Sequence, residues 1–343
     1  MDTIRLLFVV AAHKNWKVYQ LDIKSAFLNG ILQEEIYVEY PASFVIQGKE
    51  DKVYPLKKAL YRLKQAPRAW YGKIDDYLIS SGFQKSLSEA TLYVKKINND
   101  VLIISLYVDD LIVTGSNIQQ VEEFKQKMMQ VFEMIDLGLM SFFLGMEIKQ
   151  SKEEIFICQK KYAKEILKKF HMENCKPITS PMNQKDQFSK EDGTARVDEE
   201  KFRSLIGCLL YLTATGPNIL YARSLLSCFM HSPSEMHMRA AKRIMRYIKG
   251  TYSFGVKFLK CQELRLHGFY NSDWGGFIDD MKSTSGFCFN LGSIIFSWSS
   301  KKQDIVEQST VEIEFIAATT TVNQALWLQK ILRYLYMEEE EAA

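Results

Sequence analysis

Three aspartates stand at the ends of apolar runs, where their carboxylates could hold metal ions. Asp109 and Asp110 lie side by side between the runs VLIISLYV and LIVT, and Asp22 ends the run KVYQLDI. If these runs are antiparallel strands, Asp109 and Asp110 occupy a hairpin turn and their side chains leave in opposite directions. A plain turn explains the pair equally well, because Asp is a common turn residue. Three strand-end carboxylates can also hold two divalent cations about 4 Å apart, which is the arrangement used in phosphoryl transfer.

Three zones of secondary structure are available to position such residues. Residues 4–159 alternate β-type runs with helical patterns, of which 118–132 is the clearest. Two or three helices follow over 160–250, interrupted by the polar stretch MNQKDQFSKEDGTARVDEE, which is the best linker candidate. A second β pattern begins at about Cys261 and predicts a hairpin around Leu291-Gly292, ahead of a long helix from about 310 to 336.

Composition narrows the class of protein. With 343 residues, of which 47% are hydrophobic, the chain can bury a sizeable core. The net charge is only +3, so affinity for nucleic acid must come from local clusters of basic residues. Six cysteines without a CxxC pair are typical of reduced, intracellular thiols. No apolar run approaches the roughly 20 residues of a bilayer span, and no signal peptide is evident, which predicts a soluble, cytoplasmic protein.

Ten stretches in a fixed order carry a family resemblance: QLDIKSAFLNG, EEIYVEYP, LKKALYRLKQAPRAWY, YVDDLIVTGSN, FEMIDLG, FFLGMEI, LIGCLLYLTA, AAKRIMRYIKGT, KSTSGF and SWSSKKQ. Through nearly its whole length the chain resembles the Ty1/copia-type reverse transcriptase of LTR retrotransposons. The resemblance implies an α+β fold, with a right-hand polymerase palm at 1–159, a helical thumb or connection at 160–250, and an incomplete RNase H-like α/β domain at 251–343.

The resemblance also assigns a metal site to the three aspartates. Asp22 corresponds to the first metal-binding acid, and Asp109 and Asp110 correspond to the YVDD pair. Together they are expected to bind two Mg²⁺ ions, with Mn²⁺ as an alternative, and the backbone carbonyl of Ile23 is expected to contact one of them.

Further residues acquire nucleotide roles in the same way. Phe27 occupies the position under the sugar of the incoming nucleotide, where a bulky ring excludes a 2′-hydroxyl; core packing is the alternative. Gln65 matches a glutamine near the nucleotide and template, while Lys64 and Arg68 are more simply backbone or phosphate contacts.

Two further segments are implied to contact nucleic acid. FFLGMEI resembles the primer grip, in which Leu144 and Gly145 bring backbone close to the primer end, although a plain strand with a glycine bulge has the same pattern. In RAAKRIMRYIK, four basic residues follow helical spacing and could track a phosphate backbone or form a solvated face: Arg239, Lys242, Arg243 and Arg246.

The C-terminal zone departs from the RNase H pattern at its first acid. The family has aspartate where FYNSDW places Asn271, and a neutral amide replaces a bridging carboxylate poorly. Asp273 is a secondary candidate, and Glu314 corresponds to the acid of the first long helix. Ser309 and Glu312 form an S-x-x-E capping box. These departures predict no hybrid-specific ribonuclease activity.

Two other departures concern the polymerase zone. The family has a fingers region ahead of the first acidic motif, so the chain is expected to be truncated at both ends and primer extension very weak or absent. Arg62 stands where the family usually has glycine, which adds strain if the backbone there has positive φ.

Two functions follow from these observations. The first is the RNA-directed DNA polymerase region of a Pol polyprotein, with an RNA template, a DNA primer and dNTPs as partners. The fingers and integrase parts of Pol, in a cytoplasmic virus-like particle, are partners by resemblance. The alternative is a decayed, inactive retrotransposon fragment with residual nucleic-acid or metal binding.

Overall fold

The computed structural model describes residues 1–44, 47–48, 52–183, 186–260, 264–292 and 294–337. Its helices are α1 (Asp2–Lys14), α2 (Ala66–Ser80), α3 (Ile118–Val131), α4 (Lys160–Lys169), α5 (Glu199–Leu212), α6 (Leu220–Ser227), α7 (Glu235–Thr251) and α8 (Thr310–Tyr334). Its strands are β1 (Val18–Ile23), β2 (Tyr37–Glu39), β3 (Val53–Pro55), β4 (Gln84–Lys85), β5 (Leu92–Ile97), β6 (Asp100–Tyr107), β7 (Asp110–Gly115), β8 (Met134–Leu139), β9 (Phe142–Phe143), β10 (Met146–Gln150), β11 (Glu154–Cys158), β12 (Gly255–Leu259), β13 (Leu266–Ser272), β14 (Thr284–Leu291) and β15 (Ile294–Lys302). This mixed composition agrees with the predicted combination of helices and strands.

The chain divides into two compact units. The first, which we call the sheet unit, consists of Trp16–Met140 together with Tyr334–Tyr336. The second, which we call the helical unit, contains Met1–Asn15 and Ser141–Arg333. All three candidate metal-binding aspartates belong to the sheet unit.

A six-stranded sheet in the order β4-β5-β6-β7-β1-β8 forms the centre of the sheet unit. Side chains alternate along a strand, so Tyr19, Leu21 and Ile23 of β1 share one face, which packs into a core with α2 and α3. Gln20 and Asp22 therefore lie on the opposite face of the sheet. Helix α2 contributes side chains to the core at helical spacing: Ala66, Trp70, Ile74 and Leu78.

The hairpin predicted around the paired aspartates is confirmed, but its turn lies one residue earlier than predicted, because Asp110 is already the first residue of β7. Strands β6 and β7 pair antiparallel up to Tyr107 and Asp110, which leaves Val108 and Asp109 as a two-residue turn. Val108 has φ of 57°, which is unusual for a β-branched residue. Positive φ at the first turn position alone is the pattern of a type II′ hairpin, whose twist matches that of the flanking strands.

Backbone strain at Arg62 also matches the sequence-based concern. The Leu63 amide donates to the Leu60 carbonyl at 3.3 Å, so Arg62 is the third residue of a β-turn, and its φ is 75°. A type II turn requires positive φ at this position and therefore favours glycine. A side chain in this conformation costs about 1–2 kcal/mol relative to the right-handed region.

We therefore expect Arg62→Gly to stabilise the sheet unit by about 0.5–1 kcal/mol, because the relieved strain exceeds the extra entropy of glycine in the unfolded chain. Urea unfolding followed by circular dichroism measures the change. Asn98→Gly is the matched control, since Asn98 also has positive φ, 56°, but asparagine tolerates this region. A lower free energy of unfolding for Arg62→Gly would contradict the expectation.

The helical unit combines two antiparallel sheets with a helical core. One sheet has the order β12-β11-β10-β9 and the other has the order β13-β14-β15. Apolar side chains of α4, α5, α6 and α7 pack together into one cluster, so four helices occupy the zone for which two or three were predicted.

Other predicted elements are also found. Helix α3 begins after Asn117, whose side chain accepts a hydrogen bond from the Gln119 amide, as expected of an N-cap. Strands β14 and β15 pair from Leu291 and Ile294, and Gly292 has φ of 68° in the predicted hairpin turn. The predicted start of this zone, Cys261, lies outside the described residues.

Candidate catalytic carboxylate site

Strand pairing brings the three aspartates to one end of the central strands. Strand β1 pairs antiparallel with β7, and the register places Asp22 directly opposite Asp110. Asp109 lies in the adjoining turn, where its carbonyl accepts a 2.9 Å hydrogen bond from the amide of Ile23. Because directly opposite residues on paired strands share a face, the carboxylates of Asp22 and Asp110 are neighbours.

Burial and neighbouring charges both affect the pKa of Asp110. Partial burial raises the pKa of Asp110, and the negative charges of Asp109 and Asp22 raise it further. A hydrogen bond from Gln20 to the ionised carboxylate acts in the opposite direction. All three aspartates are half-buried, so they are open to a ligand while partly shielded from water.

The donor chemistry of the site fits a divalent cation. Carboxylate oxygens are the ligands that Mg²⁺ and Mn²⁺ prefer, and repulsion among three close carboxylates is relieved when a cation binds. In the described part of the chain, no group of three or more His, Cys, Asp or Glu side chains is already arranged around a single metal position.

Two buried residues that sequence reasoning did not assign donate hydrogen bonds to this site. The Gln20 side chain is 8% exposed, and its Nε2 donates to Asp110 Oδ1 at 2.8 Å. The Trp70 side chain is 2% exposed, and its Nε1 donates to the Val108 carbonyl at 2.6 Å. A polar residue inside the buried run VYQLDI was the available signal for Gln20, because buried polar groups need hydrogen-bond partners.

The candidate sugar-contacting residue Phe27 lies on a short 3₁₀ helix, Ala26–Asn29. Its ring is half-buried and packs on the ring of Tyr61 with centroids 4.9 Å apart. Gly30, which follows this helix, approaches α2 so closely that an added Cβ would lie 2.7 Å from the Trp70 backbone nitrogen. The close approach fixes the helix carrying Phe27 against the start of α2.

Gln65 and Arg68 line a separate hollow of about 500 Å³ in the sheet unit. Gln65 is the residue before α2, and Arg68 is exposed in the first turn of that helix. Glu34, Lys73 and other residues complete the lining. Acidic and basic side chains therefore both line the hollow that contains Gln65 and Arg68.

The predicted grip residues lie in the helical unit, in the turn between β9 and β10. Leu144 and Gly145 both have positive φ, 45° and 72°. The Leu144 carbonyl accepts a hydrogen bond from the hydroxyl of Tyr211 on α5, and a Cβ at position 145 would collide with that hydroxyl. Both backbone conformation and close approach therefore require glycine at position 145.

The four basic residues of α7 do not form one free stripe. Arg243 donates to Ser180 Oγ at 2.9 Å, and Arg246 donates to the Lys176 carbonyl at 2.8 Å. These two hydrogen bonds attach residues 176–180 to α7. Arg239 and Lys242 are exposed. The buried side chains of α7 include Ile244, Met245 and Ile248.

The three residues predicted for an RNase H-like site, Asn271, Asp273 and Glu314, make different contacts. Ser272, next to Asn271 on β13, donates to Glu314 Oε1 on α8 at 2.9 Å. Asp273 Oδ1 instead accepts a hydrogen bond from the Thr284 amide, and burial raises the pKa of this half-buried carboxyl. The capping box predicted at the start of α8 is found in part: Ser309 Oγ accepts from the Glu312 amide at 3.2 Å, whereas the Glu312 carboxylate accepts from the amide of Gln308 and not from that of Ser309.

Comparisons with known proteins identify the family of this chain. Residues 1–184 match the family described as reverse transcriptase (RNA-dependent DNA polymerase). The Pol polyprotein of transposon RE1 from Arabidopsis thaliana is 37% identical over 97% of this chain, and that of transposon TNT 1-94 from Nicotiana tabacum is 36% identical over 99%. The Ty1-BL Gag-Pol polyprotein of Saccharomyces cerevisiae is 25% identical over 96% of the chain.

The chain spans a small part of these relatives, 23% of the RE1 polyprotein, 26% of the TNT 1-94 polyprotein and 19% of the Ty1-BL polyprotein. The chain belongs to the reverse transcriptase (RNA-dependent DNA polymerase) family, as the reverse transcriptase region of a copia-type retrotransposon Pol polyprotein. Members of this family generally use divalent metals.

No helix within the described ranges is long and apolar enough to cross a membrane.

Proposed function

We propose that this chain catalyses RNA-directed DNA synthesis by nucleotidyl transfer, with Asp22, Asp109 and Asp110 as its metal-binding acids. The observation that carries the proposal is the register of β1 and β7, which sets Asp22 opposite Asp110 beside the turn that contains Asp109. Residues separated by almost ninety positions are thereby held at one strand end. A rigid sheet is suited to this task, because phosphoryl transfer depends on positioning more than on covalent chemistry.

All three acids have the same task in this proposal, which is to supply oxygen ligands to the metal. When bound, two Mg²⁺ or Mn²⁺ ions would make the primer 3′-hydroxyl easier to deprotonate and would offset the negative charge of the triphosphate. The side chains of Asp22 and Asp110 would supply oxygen ligands from the paired strands, and Asp109 would supply them from the turn. The main chain at Ile23 is tied to the Asp109 carbonyl, which holds the turn close to β1.

Further residues are proposed to contact the nucleotide or the nucleic acid. Phe27, held by Tyr61, limits the space at the sugar, while Gln65 and Arg68 contact the nucleotide, template or phosphate backbone. The rigid turn at Leu144 and Gly145 is proposed as the primer grip. Arg239 and Lys242 add exposed positive charge for the phosphate backbone, whereas Arg243 and Arg246 contribute by supporting α7.

The three-part division into a palm, a helical thumb or connection, and an RNase H-like part also stays a proposal. The antiparallel strands β13, β14 and β15 followed by α8 support the last part. There the amide of Asn271 and the engaged carboxylate of Asp273 leave few free ligands near Glu314, so we propose that the hybrid-cleaving site is degenerate. An RNA template, a DNA primer, dNTPs and other Pol parts within a cytoplasmic virus-like particle are the proposed partners.

Divalent metal should stabilise the sheet unit through the three carboxylates. Relief of carboxylate repulsion makes the folded state the preferred binder, and a ligand at 100 times its Kd adds about 2.7 kcal/mol. Thermal melts with and without millimolar Mg²⁺ or Mn²⁺ measure the shift, which should shrink in Asp110→Asn. Glu123→Gln, an exposed carboxylate on α3, is the control and should keep the full shift. Equal shifts for the wild type and Asp110→Asn would refute the metal site.

A further inference from the structure

Gln20 is a buried amide on the catalytic face of β1. It precedes Asp22 by two residues and therefore shares its face, and its register partner on β7 is the buried Ile112. Its Nε2 reaches diagonally to Asp110 Oδ1 at 2.8 Å. The Gln20 side chain thus links β1, the strand that carries Asp22, to the carboxylate of Asp110.

On its other edge β1 pairs with β8, and this pairing is irregular at Gln20. In the pairing of β1 with β8, the register shifts between Gln20 and Leu21, so that Gln20 faces Gly138 and Leu21 faces Asp136. The bulge is fixed by Asp136, whose carboxylate accepts from the Gly138 amide at 2.8 Å and from Lys125 Nζ at 3.2 Å. Bulges beside active sites commonly redirect a side chain, and the absence of a side chain at Gly138 leaves space beside Gln20.

We propose that Gln20 is a positioning residue, which acts through Asp110 by fixing the orientation of its carboxylate for divalent metal. The proposal deepens the proposed function and depends on it. A hydrogen bond to Oδ1 fixes the plane of the carboxylate and leaves Oδ2 as the oxygen free of this contact. Partners that orient metal ligands in this way typically change metal affinity by 10- to 100-fold when they are removed.

The chemistry of an amide suits this place better than a charged group would. A lysine would bring a positive charge that competes with the metal for Asp110, and a glutamate would add a fourth negative charge to three crowded carboxylates. A neutral donor orients Asp110 without altering the net charge of the site. An aliphatic side chain would fill the same buried space but would leave Asp110 without a hydrogen-bond donor.

Mn²⁺ affinity, measured by electron paramagnetic resonance of the free ion, tests the proposal without requiring polymerase activity. Gln20→Met keeps the length of the side chain and removes the donor, and Gln20→Asn keeps the amide but withdraws it by one C–C bond. Both should bind Mn²⁺ about tenfold more weakly than the wild type. In an Asp110→Asn background, Gln20→Met should cause no further loss, because its effect passes through Asp110.

Thr114→Val is the matched control for damage to the buried strands. Thr114 lies on the neighbouring strand β7, is 1% exposed, and donates to the Lys17 carbonyl at 2.9 Å. Its loss should lower thermal stability and leave Mn²⁺ affinity unchanged. Wild-type affinity in both Gln20 variants, or an equal loss in the Asp110→Asn background, would overturn the role of Gln20 and leave the proposed function standing. Absence of Mn²⁺ binding by the wild type would overturn the proposed function itself.

Discussion

Replacing Asp109 with asparagine should lower the rate of template-dependent primer extension by about 10³-fold, since loss of a metal-binding carboxylate removes several kcal/mol of transition-state stabilisation. The side chain keeps its size and its place in the turn, so the backbone contact between the Asp109 carbonyl and the Ile23 amide is retained. The expected loss is therefore chemical and not structural.

The measurement is single-turnover extension of a labelled DNA primer on an RNA template, with Mn²⁺ or Mg²⁺ and long incubations that make a slow rate measurable. Thermal melts without metal should give the same midpoint for Asp109→Asn and the wild type. Glu123→Gln on the exposed face of α3 controls for the loss of a carboxylate anywhere on the sheet unit and should retain the wild-type rate. Extension by Asp109→Asn at the wild-type rate would remove Asp109 from the catalytic group.

Local features of this site follow from the sequence because they depend on neighbouring residues. Alternating apolar runs flank the YVDD stretch, so the β6–β7 hairpin could be predicted, with its turn placed one residue too late, and α3 could be predicted with its cap at Asn117. The glycine usual at position 62 was a further local signal, and the observed φ of 75° at Arg62 agrees with it.

Contacts between distant residues could not be predicted in this way. The pairing of β1 with β7 joins residues about ninety positions apart, and its register depends on the packing of both sheet faces. The bulge opposite Gln20 adds a shift that no local pattern indicates. The sequence around Asp22 predicts that this residue lies near the end of a strand, but only the fold shows that it lies opposite Asp110.

The helical unit gives a second example. Residues 2–14 form a helix that is buried on nearly every side, so α1 lacks the one-sided apolar stripe by which a surface helix is recognised. Its partners are strands β11, β12 and β15, which begin about 140 or more residues later. Likewise, the engagement of Arg243 and Arg246 by residues 176–180 required the fold, because their helical spacing is equally consistent with a free basic face.

Trp70 should be among the residues on which the stability of the catalytic turn most depends. Its indole is buried between α2 and the sheet, packs edge-on against Phe132 with centroids 5.6 Å apart, and donates its N–H to the Val108 carbonyl. Val108 has the positive φ of the type II′ turn, so this hydrogen bond holds a strained backbone unit directly before Asp109. Tryptophan supplies both the apolar volume and the donor that this position requires.

Trp70→Ala should therefore lower the free energy of unfolding by about 3–5 kcal/mol, because it leaves a cavity in the core and removes the donor to the turn. Trp70→Phe keeps an aromatic ring and should cost less in stability, yet it removes the same hydrogen bond, so it should still weaken Mn²⁺ binding at the adjacent carboxylates. Urea unfolding and Mn²⁺ titration measure the two effects separately. Trp274→Ala, at a tryptophan that is 65% exposed, is the control and should change neither quantity appreciably. Wild-type Mn²⁺ affinity in Trp70→Phe would show that packing alone, without the hydrogen bond to Val108, sets the position of the turn.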